Sequence, residues 1–409
     1  MTTLLSAAAF AAFFFWAVVA VASTLSAWRY IWGLPLAEAP GRTPPVAVLV
    51  AVKGEPASSF LERLRAQDYP SYRVVAAVES ADDPAFAALD AARRAPGAPL
   101  EVVVAGRTRA GGQKVANLLA ALGRLRPADE IVVFTDADTL PGPRWLPRLV
   151  SALVDAGHEA VTGYRWILPT DGRLSSAVVA AANASIVTMP RVAEAVNLCW
   201  GGSTALPRAT LERIDVRAYW RGALSDDLQM TRALRAARIA VHSPRQSLLL
   251  SPLSASWREA FAFGRRQYRI VLLHEPLLWG FAVATLALPL ACGLAAVWLA
   301  LHGDPVGLGF LAGAAALGEM RFRCRRRLVA ALWPETKDAE LKLYWRVERF
   351  LRPVWQGFHL ACALGALGSR RISWAGIDYL LRGPQDVVVL SRREADDAAP
   401  APRVQSADS

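Results

Sequence analysis

The stretch from Pro276 to Leu301 holds no Asp, Glu, Lys or Arg, and it exceeds the roughly 20 residues that cross a bilayer core. A second uncharged stretch opens the chain: none of these four residue types occurs from Met1 to Trp28. We read 1–28 as a transmembrane anchor, with a cleaved signal peptide as the rival because Ala20-Val21-Ala22 imitates a cleavage site. Arg29 and Arg42 follow the first stretch, while Arg265, Arg266 and Arg269 precede the second. Arginines collect on cytoplasmic flanks, so the region between is expected in the cytoplasm. Val306–Gly318, ending at Arg321, Arg323 and Arg325 to Arg327, fits a third, returning span of marginal length, which makes 276–320 the transmembrane helices. Pro353–Gly368 has arginines on both sides and suits an interfacial or re-entrant helix. This gives 321–390 as interfacial or re-entrant helices with a cytoplasmic end, and 391–409 as a polar, disordered tail.

Between the spans, 44–260 reads as an α/β domain, followed by a basic interfacial segment at 261–275. Short apolar runs, Val46 to Val52, Tyr72 to Val78, Glu101 to Ala105 and Glu130 to Thr135, alternate with helical patterns through Phe60–Leu64 and Pro84–Arg94. That alternation predicts a mostly parallel, Rossmann-like sheet. Ligands of open α/β sheets bind beyond the carboxyl ends of the strands. The tips Lys53-Gly54-Glu55, Glu79 to Asp83 and Asp136 to Asp138 are therefore expected to converge on one crevice.

Asp136-Ala137-Asp138 directly follows the run Ile131 to Phe134. Two carboxylates at a strand tip suit Mg²⁺ or Mn²⁺ shared with substrate phosphates; solvated turn formers would look the same. Asp226-Asp227 stands before an amphipathic run. It reads either as a helix cap or as a general base that takes a proton from an attacking hydroxyl. Arg265 to Arg269 reads as a basic membrane flank and as a charge partner for a leaving diphosphate. The four cysteines form no CxxC pair and the five histidines no HxxxH, which removes support for zinc and for a disulfide framework. Lys plus Arg, 46, outnumber Asp plus Glu, 35. The arginines cluster beside apolar stretches instead of interleaving with aromatics, so nucleic acid is not an expected partner.

Taken in order, these motifs resemble the family 2/21 type of inverting membrane glycosyltransferases, most closely the ceramide glucosyltransferase branch. The resemblance rests on Glu79 to Asp83, Asp136 to Asp138, Asp226-Asp227 and the basic motif Arg266-Gln267-Tyr268-Arg269, together with Gly112 to Leu118, Gly201-Gly202-Ser203 and the ending Arg371 to Tyr379. It implies a GT-A fold, a UDP-sugar donor and a metal on the diphosphate. Lys53, Glu55, Glu79, Asp83, Lys114 and Asp136 would bind the donor, with Asp83 at the nucleotide end. Asp138 and Asp136 would hold the metal, Asp227 would be the base with Asp226 beside it, and Arg266 and Arg269 would face the diphosphate or acceptor. Trp200, Gly201 and Gly202 would line the acceptor side. Ile270 stands where this family has tryptophan, which favours transfer of one sugar over processive polymer synthesis. The implied protein lies in a bacterial inner membrane and moves glucose to ceramide; hopanoid, sterol and diacylglycerol would suit the same machinery.

Overall fold

The computed structural model describes residues 2–32, 40–188 and 196–393. The chain forms two compact units, each drawn from three segments. Pro35–Leu168, Val192–Pro252 and Ser369–Ser409 form a sheet unit, and Met1–Leu34, Pro169–Arg191 and Leu253–Gly368 form a helical unit.

In the sheet unit the strands are β1 (Val46–Ala51), β2 (Tyr72–Val78), β3 (Leu100–Val104), β4 (Ile131–Asp136), β5 (Val161–Thr162), β6 (Arg165–Pro169), β7 (Ser203–Pro207) and β8 (Leu249–Leu253). Six of them build one sheet in the order β3-β2-β1-β4-β7-β5. β1, β2, β3 and β4 run parallel, and β7 pairs antiparallel to both β4 and β5. β1 is apolar at every position because both faces are covered, as parallel strands with crossover helices require. Val46, Val48 and Val50 face a core shared with the helices Ser58–Arg65 and Trp145–Val154, whereas Ala47 and Leu49 face Gln113–Leu122 and Asp226–Ala236. This is the two-residue period of a strand read from both sides. The register sets Ala51 of β1 beside Ala77 of β2 and Asp136 of β4, so the tips of three neighbouring strands end level.

The same unit contains a three-stranded antiparallel sheet from the end of the chain: β9 (Arg371–Trp374), β10 (Ile377–Gly383) and β11 (Asp386–Arg392). Ala375 and Gly376 both take positive φ, 50° and 74°, which suits the two-residue turn joining β9 to β10. Strand pairing continues to Arg392; of the tail expected from 391, residues 394–409 lie outside the described residues.

The helical unit holds Thr2–Trp32, Leu174–Val187, Trp257–His274, Pro276–Leu301, Pro305–Leu332, Lys342–Phe350 and Arg352–Gly365. Phe13 and Trp16 of the first helix lie against Phe310 with ring centres 4.6 and 4.2 Å apart, and Cys292 and Ala296 join the same cluster. Gly307 lets two helices approach closely, since a Cβ there would stand 2.6 Å from the Ala296 carbonyl oxygen. Among the described residues, Pro276–Leu301 alone is long and apolar enough to cross a membrane. The short returning span expected at 306–318 is instead the first half of one continuous helix, Pro305–Leu332, that runs on through the arginines. Arginine has high helix propensity, and within this helix Arg325 is sealed against Glu348 at 2.6 Å with its Nε donating to Thr188.

Candidate active site

Lys114, in the first turn of Gln113–Leu122, organises the centre of the site. Its ammonium lies 2.6 Å from Asp136 and 2.9 Å from Asp226. Two acidic motifs far apart in sequence thus meet on one cation. Asp136 is the last residue of β4. Asp226 and Asp227 open the helix Asp226–Ala236, where the helix dipole favours negative charge. The cap of that helix is Ser225, whose hydroxyl accepts from the Leu228 N–H. The Ser225 hydroxyl also donates to Asp227 Oδ1, which accepts from the Leu228 N–H at 2.8 Å. Asp227 is half-buried and Asp226 buried.

Arg165, at the start of β6, completes the cluster. It reaches Asp138 at 3.2 Å and Asp136 at 3.5 Å, and lies over the Trp200 ring at 5.1 Å. Two cations therefore face four carboxylates: Asp136, Asp138, Asp226 and Asp227. Burial pushes the Asp136 carboxyl up, but Lys114 and Arg165 outweigh it and hold its pKa below the ordinary value. Burial opposes the Lys114 ammonium, yet Asp136, Asp226 and Asp227 raise its pKa above that of a free lysine. Asp226 goes the other way: burial, with Asp227 and Asp136 nearby, lifts it to about 6 despite Lys114.

The Trp200 to Gly202 loop meets the same cluster. A Cβ on Gly201 would stand 2.1 Å from Asp226 Oδ2 and 3.0 Å from the Lys114 ammonium; one on Gly202 would stand 2.3 Å from the Trp200 ring. Only glycine lets this backbone come so close. The Trp200 N–H donates to Thr162 Oγ1 at 2.9 Å, and Thr135 donates to the Gly202 carbonyl at 3.1 Å.

At the tips of β1 and β2, Lys53 pairs with Glu79, whose other oxygen takes Arg392 of β11 at 2.9 Å. Asp83 caps the helix Pro84–Arg94 by accepting from the Ala85 N–H at 2.9 Å, and accepts from the Gly54 N–H at 2.8 Å, so it holds the loop after β1. Glu55 is exposed. Lys53, Glu79, Lys114, Asp136, Asp226, Arg165 and Arg392 all lie in the sheet unit. Arg266 and Arg269 belong to the helical unit. Arg269 is buried and its guanidinium donates to the Ala366 carbonyl at 2.8 Å. The Arg266 guanidinium lies over the Phe263 ring at 5.4 Å.

Asp136 and Asp138 are hard oxygen donors that suit Mg²⁺ or Mn²⁺. Among the described residues no group of three His, Cys, Asp or Glu side chains could hold a metal alone, so substrate oxygens would have to complete the coordination. Sequence reasoning missed Arg165, which stands alone, and Arg392, which is paired only with Arg393; neither lies in a recognisable motif.

A family model described as glycosyl transferase family 21 matches residues 11–386. The chain belongs to that family. It is a glycosyltransferase, and its six-stranded sheet is mostly parallel, with β7 running against its two neighbours. In structure it is similar to the mannosyltransferase PcManGT from Pyrobaculum calidifontis, solved with GDP-Man and Mn²⁺, at 21% identity and a TM-score of 0.48, over 86% of this chain and 99% of that one. It is also similar to glucosyl-3-phosphoglycerate synthase from Mycobacterium tuberculosis, solved with Mn²⁺ and UDP-glucose, at 17% identity and a TM-score of 0.35, over 56% of this chain and 78% of that one. Comparison with curated proteins gives no match.

Proposed function

We propose that this glycosyltransferase moves one glucose from UDP-glucose to the hydroxyl of a membrane lipid, ceramide, with inversion at the anomeric carbon. The observation that carries the reading is the shared Lys114, which draws Asp136 and Asp226 together at the carboxyl ends of a parallel sheet. The lipid hydroxyl attacks the anomeric carbon, the bond from that carbon to the diphosphate oxygen breaks, and UDP leaves. Asp227, the more exposed of the helix-opening pair, takes the hydroxyl proton. Asp136 and Asp138 would hold Mg²⁺ or Mn²⁺, which supplies positive charge for the departing diphosphate. Arg165 bridges those two carboxylates and Lys114 neutralises Asp136, so neither acid has to face the other uncompensated.

A lipid acceptor is supported by the surface of Pro276–Leu301. Leu277, Leu294 and Leu301 are exposed by 89%, 75% and 79%, where a helix serving a water-soluble core would bury them. Such a helix suits a bilayer, and the arginine flanks support a cytoplasmic sheet unit. Ile270 in place of tryptophan favours a single transfer. The test is incubation of the enzyme in membranes with Mn²⁺, labelled nucleotide sugars and a panel of lipids, followed by mass spectrometry. The expected product is ceramide carrying one hexose from the UDP donor. A labelled polymer, or no transfer from any nucleotide sugar, would defeat the reading.

A further inference from the structure

We infer that the terminal strand β11 is a wall of the donor site and that Arg392 is a positioning residue for nucleotide binding. The inference rests on the donor reading above. It starts from the chain's course: Arg392 is separated by 313 positions from Glu79, yet its guanidinium meets that buried carboxylate at 2.9 Å. The same group donates to the Thr108 carbonyl and to Gln113 Oε1, the latter at 2.8 Å. One arginine thus ties the tip of β2 to the loop that leads into the Lys114 helix.

Four further bonds fix the same loop. Val387 of β11 accepts from the Gly111 N–H at 2.8 Å, and the Gln113 N–H donates to the Tyr379 hydroxyl at 3.3 Å. Gln113 Nε2 then reaches the Gly106 carbonyl at 2.9 Å and Asn117 at 2.8 Å. The residue immediately before Lys114 is therefore held from the chain end on two sides. On the far side of the loop, Gln229 of the helix that carries Asp226 and Asp227 donates to the Pro384 carbonyl at 2.8 Å. Both helices that present charged groups to the site are braced by 369–392.

Glu79 sits between Lys53 and Arg392. A carboxylate held by two charge-assisted bonds keeps one orientation, and its strand tip is where an open α/β sheet receives a nucleotide. Without Arg392, Glu79 keeps Lys53 alone and Gln113 loses its link to β11. The loop from Gly106 to Gly112 then becomes looser, and the donor finds a less ordered site.

The experiment uses the full-length enzyme in detergent, with UDP and GDP in the presence of Mn²⁺ as calorimetric probes. Arg392→Ala should weaken UDP binding by about tenfold or more, raise the donor KM by a similar factor and lower kcat less. Arg392→Lys should restore part of the affinity. Combining Arg392→Ala with Glu79→Gln should cost less than the sum of the two changes, because both break one linked pair. Amide hydrogen exchange over 106–117 should quicken in Arg392→Ala without any nucleotide. Unchanged exchange there, or additive effects of the two substitutions, would overturn the inference. If the unaltered enzyme binds neither nucleotide, the donor reading fails, while the exchange comparison still decides whether Arg392 positions the loop.

Discussion

Two buried charge assemblies in this molecule are built on opposite plans. In the helical unit Arg325 bonds Glu348, with side chains 6% and 0% exposed, and Arg321 and Arg352 bring further positive charge to the pair. In the sheet unit Lys114 and Arg165 face four aspartates, and Asp138 is 61% exposed. The first is closed, and its one carboxylate offsets part of the desolvation of the arginines around it. The second carries surplus negative charge at an open edge, a state that an incoming cation and its phosphates would complete. Access, more than burial alone, separates a brace from a site.

The contrast is broken most severely at Asp227. Asp227→Asn should lower transfer by about 10²–10⁴-fold while calorimetry shows UDP binding retained; normal turnover would remove Asp227 as the base. The brace answers differently. Arg325→Met alone should cost about 3–5 kcal/mol of stability by stranding Glu348, whereas Arg325→Met with Glu348→Leu should recover most of it, as followed by thermal unfolding. If both variants melt alike, the pair is not the brace described.

A smaller effect is expected at Asp226, whose folded pKa of about 6 lies above that of a free aspartate. A raised pKa means that the stability present below the free value is lost as pH rises through 6. Asp226→Asn should therefore raise the melting temperature by about 2–4 °C at pH 7.5, with the gain shrinking toward pH 5. A gain that grows toward pH 5 would reverse the sign and contradict the environment described. The smallest change is expected at the exposed pair Arg42–Glu130, 3.4 Å apart with side chains 70% and 56% exposed. Arg42→Ala should alter stability by less than about 1 kcal/mol, measurable by denaturant titration.

The legible parts of the molecule were those written in neighbouring residues. The strands Val46–Ala51 and Ile131–Asp136 announce themselves by apolar runs, and Lys53 and Asp136 stand at their tips, with Glu79 just beyond Tyr72–Val78. Asp226-Asp227 was readable as a helix start, although Ser225 provides the cap. Arg165 and Arg392 were not readable, because each acts on carboxylates far away in sequence and neither stands in a motif. The helix Pro305–Leu332 was cut short in the reading because charge was taken as its end, although helix formation tolerates arginine readily.

The division of the sheet unit into three segments bears on how the protein is made. Residues 253–368, with the most apolar helix, leave the ribosome before 369–409 do, and domains generally fold as units during synthesis. The sheet around Val46–Ala51 can form early, but β11 has to close a separation of more than 300 positions to reach Glu79. Long-range closure of this kind is slow. A growing chain therefore carries Glu79 through more than 300 further residues of synthesis before Arg392 exists to pair with it.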